Sequence, residues 1–173
     1  FLIGRSGLSV LPITSLGLQH EAPLERVSTG LSTLDAMLGD QGFYRGSSIL
    51  LSGGAGTGKS SLAAHFVDAA CRRGERCVYF LFEESPSQYM RNMRSIGIDL
   101  EEWVKGGLLH FQAARPALLG LEQHLVAMHR EIDEVKPVVV VVDPINDLTS
   151  IGNMNAVKAT LLRLIDFLKT SLI

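Results

Sequence analysis

Eight consecutive residues, Gly53-Gly54-Ala55-Gly56-Thr57-Gly58-Lys59-Ser60, fit the spacing G-x-x-x-x-G-K-[ST] with which a chain grips phosphate. Glycines let the backbone curl until successive N–H groups converge on phosphate oxygens, and a following helix adds the positive end of its dipole. Lys59 then reaches the β/γ-phosphates and Ser60 offers its hydroxyl to magnesium, with Ser61 counted beside them among the binding residues. A plain glycine turn would account for the glycines but not for Lys59-Ser60. The pattern marks a nucleoside triphosphate binder.

Hydrolysis of a terminal phosphate also needs a group to hold magnesium and a base or positioner for the attacking water. Asp143 ends a run of five valines, Val138 to Val142, which sets its carboxylate at the carboxyl end of a strand, where open α/β sheets bind ligands. It is assigned to magnesium, through water; a turn cap before Pro144 is the competing role. Glu83 and Glu84 follow the strand Cys77 to Phe82, and adjacent side chains there point to opposite sides. One can face the γ-phosphate while the other braces it, or the pair can simply open the helix that starts at Pro86. Asn146 and Asp147 fit a γ-phosphate sensor or a turn. Trp103 could stack on a base, but burial beside Val104 and Leu108 suits it better, and His65, His124 and His129 read as packing or surface residues.

These residues must be held by a regular frame. Ser48 to Ser52 is short and apolar, as a buried parallel strand should be, and Leu62, Phe66, Ala69 and Ala70 then recur at helical spacing until Gly74. Upstream, Ser32 caps a short helix containing Leu34, Met37 and Leu38 and ended by Gly39. Downstream, Pro86 to Ile96 is a helix and Leu108 to Phe111 a strand. Leu121, Leu125, Met128, Ile132 and Val135 stripe a long helix stopped by Pro137. The valine run predicts a strand buried on both faces, Val157 to Leu168 line another helix, and a further strand is due after Ile173. Strands alternating with helices give an α/β fold, a mainly parallel sheet with helices on both faces. Residues 1–11 read as a hairpin of Phe1 to Gly4 and Leu8 to Leu11, and Pro12 to Pro23 as a linker or strap.

The bulk numbers narrow the class. A chain of 173 residues that is 46% hydrophobic can bury one good core. No apolar run approaches the roughly 20 residues of a membrane span and no leader pattern opens the chain, which points to the cytoplasm. Cys71 and Cys77 lack metal or redox spacing and read as reduced core thiols. Sixteen basic against eighteen acidic residues give a net charge of −2 with no basic cluster, which argues against nucleic acid.

The phosphate loop, the acidic pair and Asp143 are arranged as in RecA-like P-loop ATPases. Arg26-Val27-Ser28-Thr29-Gly30, Leu34-Asp35, Leu38-Gly39 and Gly46 resemble their opening signature. Phe82-Glu83-Glu84-Ser85, Arg91-Asn92 and the stretch Gly120 to Leu125 resemble the KaiC family in particular, and the likeness runs from Leu24 to Ile173. It implies ATP and Mg2+ as ligands, hexameric rings with nucleotide between neighbouring subunits, slow hydrolysis, and in clock members autophosphorylation on Ser/Thr. On that resemblance Lys59 and Ser60 bind phosphate and magnesium, Glu83 or Glu84 is the general base, and Asp143 takes the second acidic role. Residues 1–18 are expected to be the tail of a preceding KaiC-type domain, 19–25 a linker, and 26–173 the ATPase domain, the second of a double-domain protein. The family's phosphoacceptor residues and trans-acting basic finger are expected beyond Ile173. Asp143-Pro144 replaces the Asp-Ser common in clock members, which leaves a circadian role open beside other signalling. A DNA-dependent ATPase motor of the same fold and a nucleotide-holding scaffold are the competing functions.

Overall fold

A computed structural model describes residues 2–4, 7–9, 23–171 and 173. In chain order the elements are β1 (Leu2–Gly4), β2 (Gly7–Ser9), β3 (Arg26–Val27), α1 (Ser32–Met37), β4 (Phe43–Tyr44), α2 (Lys59–Arg72), β5 (Cys77–Leu81), α3 (Pro86–Ser95), α4 (Glu101–Lys105), β6 (Leu109–Ala113), α5 (Leu121–Val135), β7 (Val139–Asp143) and α6 (Met154–Thr170). The expected hairpin is present, with Leu2 opposite Ser9. Most of the expected linker lies outside the described residues.

β5 is the centre of a three-stranded parallel sheet in the order β6-β5-β7. Its five residues are all buried, and their alternation sorts them to two faces. Tyr79 and Leu81 pack with Ala64, Val67 and Ala70 of α2 and with Tyr89 and Met93 of α3. Val78 and Phe80 pack with Leu125, Met128 and Ile132 of α5 and with Val157 and Leu164 of α6. Each such aliphatic or aromatic side chain contributes about 1.5–3 kcal/mol through lost apolar exposure. Helices on both faces of a parallel sheet are what the alternation of strand and helix patterns predicts.

The edges of that sheet depart from expectation. Ser48 to Ser52 forms no strand: Ile49, Leu50 and Leu51 are 42%, 75% and 36% exposed. A parallel strand needs a neighbour on each side and cover on both faces. Here β7 ends the sheet, and no described strand pairs with its outer edge. For the same reason the valine run, expected to be buried on both faces, is a half-buried edge strand from Val139 to Asp143. Ser32 does not cap α1 either. Leu31 occupies that position, and Asp35 turns back to accept from Thr29 N–H at 2.8 Å and from the hydroxyls of Ser28 and Thr29 at 2.5 and 2.7 Å. The two-residue ladder of β3 with β4 and the five-residue α4 are additions that periodicity does not reveal.

Charged groups staple the segment ahead of the phosphate loop to the far end of α2. Arg45 bridges Glu25 at 2.9 Å and Glu75 at 2.7 Å, while Arg73 donates to Glu75 at 2.9 Å and to the Ser28 carbonyl at 3.1 Å. Phe43 of β4 adds an edge-on contact to Phe66 of α2, with centroids 6.0 Å apart. Burial pushes the Glu75 carboxyl up, but the two guanidinium partners outweigh it and hold the group below its ordinary value of 4.5. A carboxyl lowered by folding adds stability above its unfolded pKa and loses it as pH falls through the folded value. Glu75→Gln should therefore cost about 1–3 kcal/mol at neutral pH and flatten the acid limb of stability, read from urea midpoints at neutral and acid pH.

Candidate functional site

The loop that opens α2 is shaped by two left-handed glycines. Gly56 and Gly58 have φ of 74° and 83°, a region that costs other L-residues about 1–2 kcal/mol. Gly58 is the N-cap of α2, so the free N–H groups of the first helical turn, at Lys59, Ser60 and Ser61, open onto the loop. The Lys59 ammonium arches back and donates to the carbonyls of Gly53 and Gly54 at 3.0 and 2.7 Å, and the Thr57 hydroxyl donates to Gly54 O at 2.9 Å. A Cβ on Gly53 would meet Thr57 Oγ1 at 2.7 Å. Gly53 to Gly58, Ala55 included, is exposed, and Lys59 and Ser60 are half-buried.

The carboxylates gather where β5 and β7 end. Leu81 stands opposite Asp143 in the ladder, and Phe82 N–H donates to the Asp143 carbonyl at 3.1 Å, so Glu83 and Glu84 leave the sheet directly beside Asp143. Asp143 is the last residue of β7 rather than the residue after it. Ser85 then fixes the start of α3 by a capping box: its hydroxyl accepts from Gln88 N–H at 3.3 Å, and Gln88 Oε1 accepts from Ser85 N–H at 3.1 Å. The two glutamates are thereby made unequal. Glu84 is half-buried and accepts from Asn92 Nδ2 at 3.1 Å, while Asn92 Oδ1 accepts from Arg91 Nη2 at 3.1 Å. Glu83 is exposed and has no partner among the described hydrogen bonds.

Two tyrosines join the loop helix to Asp143. Tyr79 Oη donates to Asp143 Oδ2 at 2.8 Å. Tyr89 Oη lies 2.7 Å from Tyr79 Oη and 3.1 Å from the Ser60 carbonyl, and its single proton goes to one of these acceptors at a time. Both rings are buried, 4.8 Å apart between centroids, and both pack on Phe111. Burial raises both phenols well above their ordinary value, so they stay protonated donors throughout the neutral range. Periodicity hides these residues, because a tyrosine in an apolar strand or stripe reads as core. The S-x-x-Q signature of the capping box was open to inspection at Ser85 to Gln88.

The other polar candidates fall outside this cluster. Trp103 is partly buried and donates to Asp68 Oδ1 at 2.7 Å, nine residues and about 13 Å along α2 from Lys59. It packs against the same core cluster as Leu108, whereas Val104 is exposed. His124 is buried against Phe82 and the Pro116 carbonyl, and His129 stacks on Phe167 at 3.8 Å. Asn146 and Asp147 lie in a 3-10 turn whose carbonyls accept from Thr149 and Ser150, in keeping with the turn role. Cys71 and Cys77 are free, buried thiols with sulfurs 3.7 Å apart. No helix among the described residues is long and apolar enough to cross a membrane.

Residues 27–173 match the family model described as "ATPase: KaiC". The chain is 53% identical over 170 residues to circadian clock protein KaiC2 of Synechocystis, covering 98% of the chain and 30% of that relative. It is 40% identical over 148 residues to the circadian clock oscillator protein KaiC of Picosynechococcus, covering 86% and 28%. To KaiC3 of Synechocystis it is 34% identical over 168 residues, covering 97% and 33%. The chain thus spans about a third of the length of these relatives.

The backbone of the loop yields its own test. Gly58→Ala places a Cβ in open space at a φ of 83°, so only the backbone objects, and the melting midpoint should fall by the equivalent of about 1–2 kcal/mol. Gly54→Ala, whose Cβ would meet nothing closer than 4.0 Å at an ordinary φ, should stay within about 0.5 kcal/mol of the parent.

Proposed function

The chain belongs to the KaiC family of ATPases, with the RecA-like P-loop fold of that family, and from that membership we propose that it binds ATP with Mg2+ at the Gly53–Ser60 loop and hydrolyses it. The observation that carries this reading is spatial. A line of close polar contacts runs from the Ser60 carbonyl on the loop helix past the Tyr89 and Tyr79 hydroxyls to Asp143, and Glu83 and Glu84 leave the neighbouring strand at the same end of the sheet.

The residues suit both ligands. Left-handed glycines and the first turn of α2 offer N–H groups to anionic oxygens. The donors at Ser60 and Asp143 are hard oxygens, and no group of three His, Cys, Asp or Glu side chains that could hold a metal unaided occurs among the described residues. Magnesium is content with such an incomplete site, since it keeps several waters and takes the rest from one or two carboxylates and the phosphates themselves. When bound, the ion neutralises charge on the β- and γ-oxygens.

The chain's own groups then divide the work. Lys59 exchanges its two loop carbonyls for phosphate oxygens and balances their charge. Ser60 and Asp143 hold the ion. Glu83, exposed and without a hydrogen-bond partner among the described residues, takes the proton from the attacking water, while Glu84, tied to Asn92, holds the line of attack. A carboxylate that can deprotonate water can deprotonate a Ser or Thr hydroxyl, so autophosphorylation belongs to the same proposal. Membership of the KaiC family favours assembly into rings, and we place the nucleotide between neighbouring subunits, in a hexamer for the full-length protein. Residues 1–18 are taken as the last strands of a preceding KaiC-type domain and 19–25 as a linker, in keeping with a family match that starts at residue 27. The working place is the cytoplasm, where ATP is supplied, and signalling proteins are the expected partners, with a circadian role open beside other signalling.

In full-length protein, ATP should give free phosphate, and γ-labelled ATP should leave label on the chain if the autokinase is present. Glu83→Gln should lower kcat by about 10²- to 10⁴-fold with ATP affinity within a few fold. Glu84→Gln should lower it by roughly 10- to 100-fold, as loss of a bracing partner does. Neither phosphate nor label in the parent protein would overturn catalysis and leave ATP as a cement between subunits.

A further inference from the structure

Asp143 is the one acidic group of the site whose carboxylate is gripped by a buried side chain, and the grip is a single phenolic O–H. Tyr79 has no exposure, and Tyr89 on its far side is 2% exposed, so the pair cannot swing away without opening the core. Tyr79 Oη donates to Oδ2 at 2.8 Å, and among the described hydrogen bonds Oδ1 accepts none. The terminal torsion of an aspartate is soft and roughly two-fold, so nothing intrinsic to Asp143 decides which oxygen is turned outward. The tyrosine does decide it. Tyr89 Oη, 2.7 Å from Tyr79 Oη and 3.1 Å from Ser60 O, sits between that choice and the first turn of α2, giving its one proton to either neighbour.

We propose that Tyr79 is a positioning residue for the cation: by occupying Oδ2 of Asp143 it leaves Oδ1 as the oxygen presented to the ion, with Tyr89 registering that orientation against Ser60 on the loop helix. The inference rests on the reading of Asp143 as a magnesium holder and deepens it. Groups that orient a metal-holding carboxylate from behind are worth about 10- to 100-fold in metal affinity or activity. The neighbouring packing argues for the same role. Tyr79 and Tyr89 share Phe111 as a third ring, at 5.7 Å from each, so their hydroxyls are fixed by aromatic contacts that a phenylalanine would keep.

Tyr79→Phe removes the hydroxyl and retains the ring. The measurement is Mn2+ affinity of the full-length protein in the presence of a non-hydrolysable ATP analogue, followed by the free-ion electron paramagnetic resonance signal, with Asp143→Asn and the double variant alongside. The expected result is a loss of affinity of about 10-fold or more in Tyr79→Phe, at least as much in Asp143→Asn, and no further loss in the double variant, the mark of one route. Unchanged affinity in Tyr79→Phe beside a loss in Asp143→Asn would overturn the proposal and leave the reading of Asp143 intact. Additive losses would overturn it as well, because the tyrosine would then act elsewhere. Unchanged affinity in Asp143→Asn would remove the reading of Asp143 itself, and the positioning role with it. Should Tyr79→Phe fail to fold, Tyr89→Phe decides: a loss of at least twofold supports the proposal, and parent-like affinity overturns it.

Discussion

The chemistry at the carboxyl end of this sheet depends on one constraint, the parallel register that sets Leu81 opposite Ala113 on one side and Asp143 on the other. Strand side chains alternate, so a slip of one residue would send Tyr79 to the α5/α6 face and carry the glutamates past Asp143. The register is pinned by burial on both faces of β5, where a slip would exchange every partner at once. It is also pinned at the strand ends. Cys77 N–H donates to Leu108 O at 2.7 Å and Val138 N–H to Arg76 O at 2.8 Å. Ala114 N–H donates to Leu81 O at 3.0 Å and Phe82 N–H to Asp143 O at 3.1 Å. Backbone bonds beyond both ends of β5 leave little freedom in where Glu83 begins.

The phosphate loop depends on the sheet only through α2. The helix sits on β5 by small residues, with Ala64, Val67, Ala70 and Cys71 all buried, which lets its axis approach closely and brings its first turn within reach of Tyr89. The opposite side of α2 is covered by the chain ahead of the loop. There Gly30, at a φ of 82°, passes so near that an added Cβ would lie 2.8 Å from Ala69 Cβ and 3.0 Å from the His65 carbonyl. Helix and covering segment thus hold each other, and the Glu75 cluster closes the far end. The loop is exposed, as is the Ser48 to Ser52 segment that leads into it, and its tie to buried structure is Ser60 on the following helix.

What could be read from residues alone follows from how local each physical cause is. The phosphate loop was legible because its chemistry fixes residue types over eight positions, and left-handed glycines are required whatever surrounds them. Helices α2, α3 and α5 were legible because one apolar face repeats over several turns, and β5 because the apolar run Cys77 to Phe82 is bounded by Arg76 and Glu83. The Ser48 to Ser52 strand failed because an apolar run states a demand for neighbours and cannot supply them. The same holds for β7, whose valines are strand-forming by type while their burial belongs to whatever flanks them. Within the site, positions Glu83, Glu84 and Asp143 were legible as strand ends, but the inequality of the two glutamates was not, since it comes from Asn92 eight residues on. Asp35 shows the reverse case: its carboxylate is held by Ser28 and Thr29 just ahead of a helix whose N-cap is Leu31 and not Ser32.

The two faces of β5 offer an internal control on the meaning of the tyrosines. Toward α5 and α6 the strand presents Val78 and Phe80, with Phe82 beyond them, and the core there is closed by apolar contacts and the buried His124. Toward α2 and α3 the ring comparable to Phe80 is Tyr79, met by Tyr89. A phenylalanine would fill either place with no obligation, whereas a buried hydroxyl left unpaired costs about 1–3 kcal/mol and, once paired, returns only about 0.5–1.5 kcal/mol. Core packing by itself therefore gives little reason to prefer the hydroxyls, and if it were the cause the preference would show on both faces. It shows only on the face that carries the phosphate loop, and there both hydroxyls are spent on Asp143 and on the helix that begins at Lys59. The asymmetry follows the site and not the core, which is where local rules of packing are expected to yield to function.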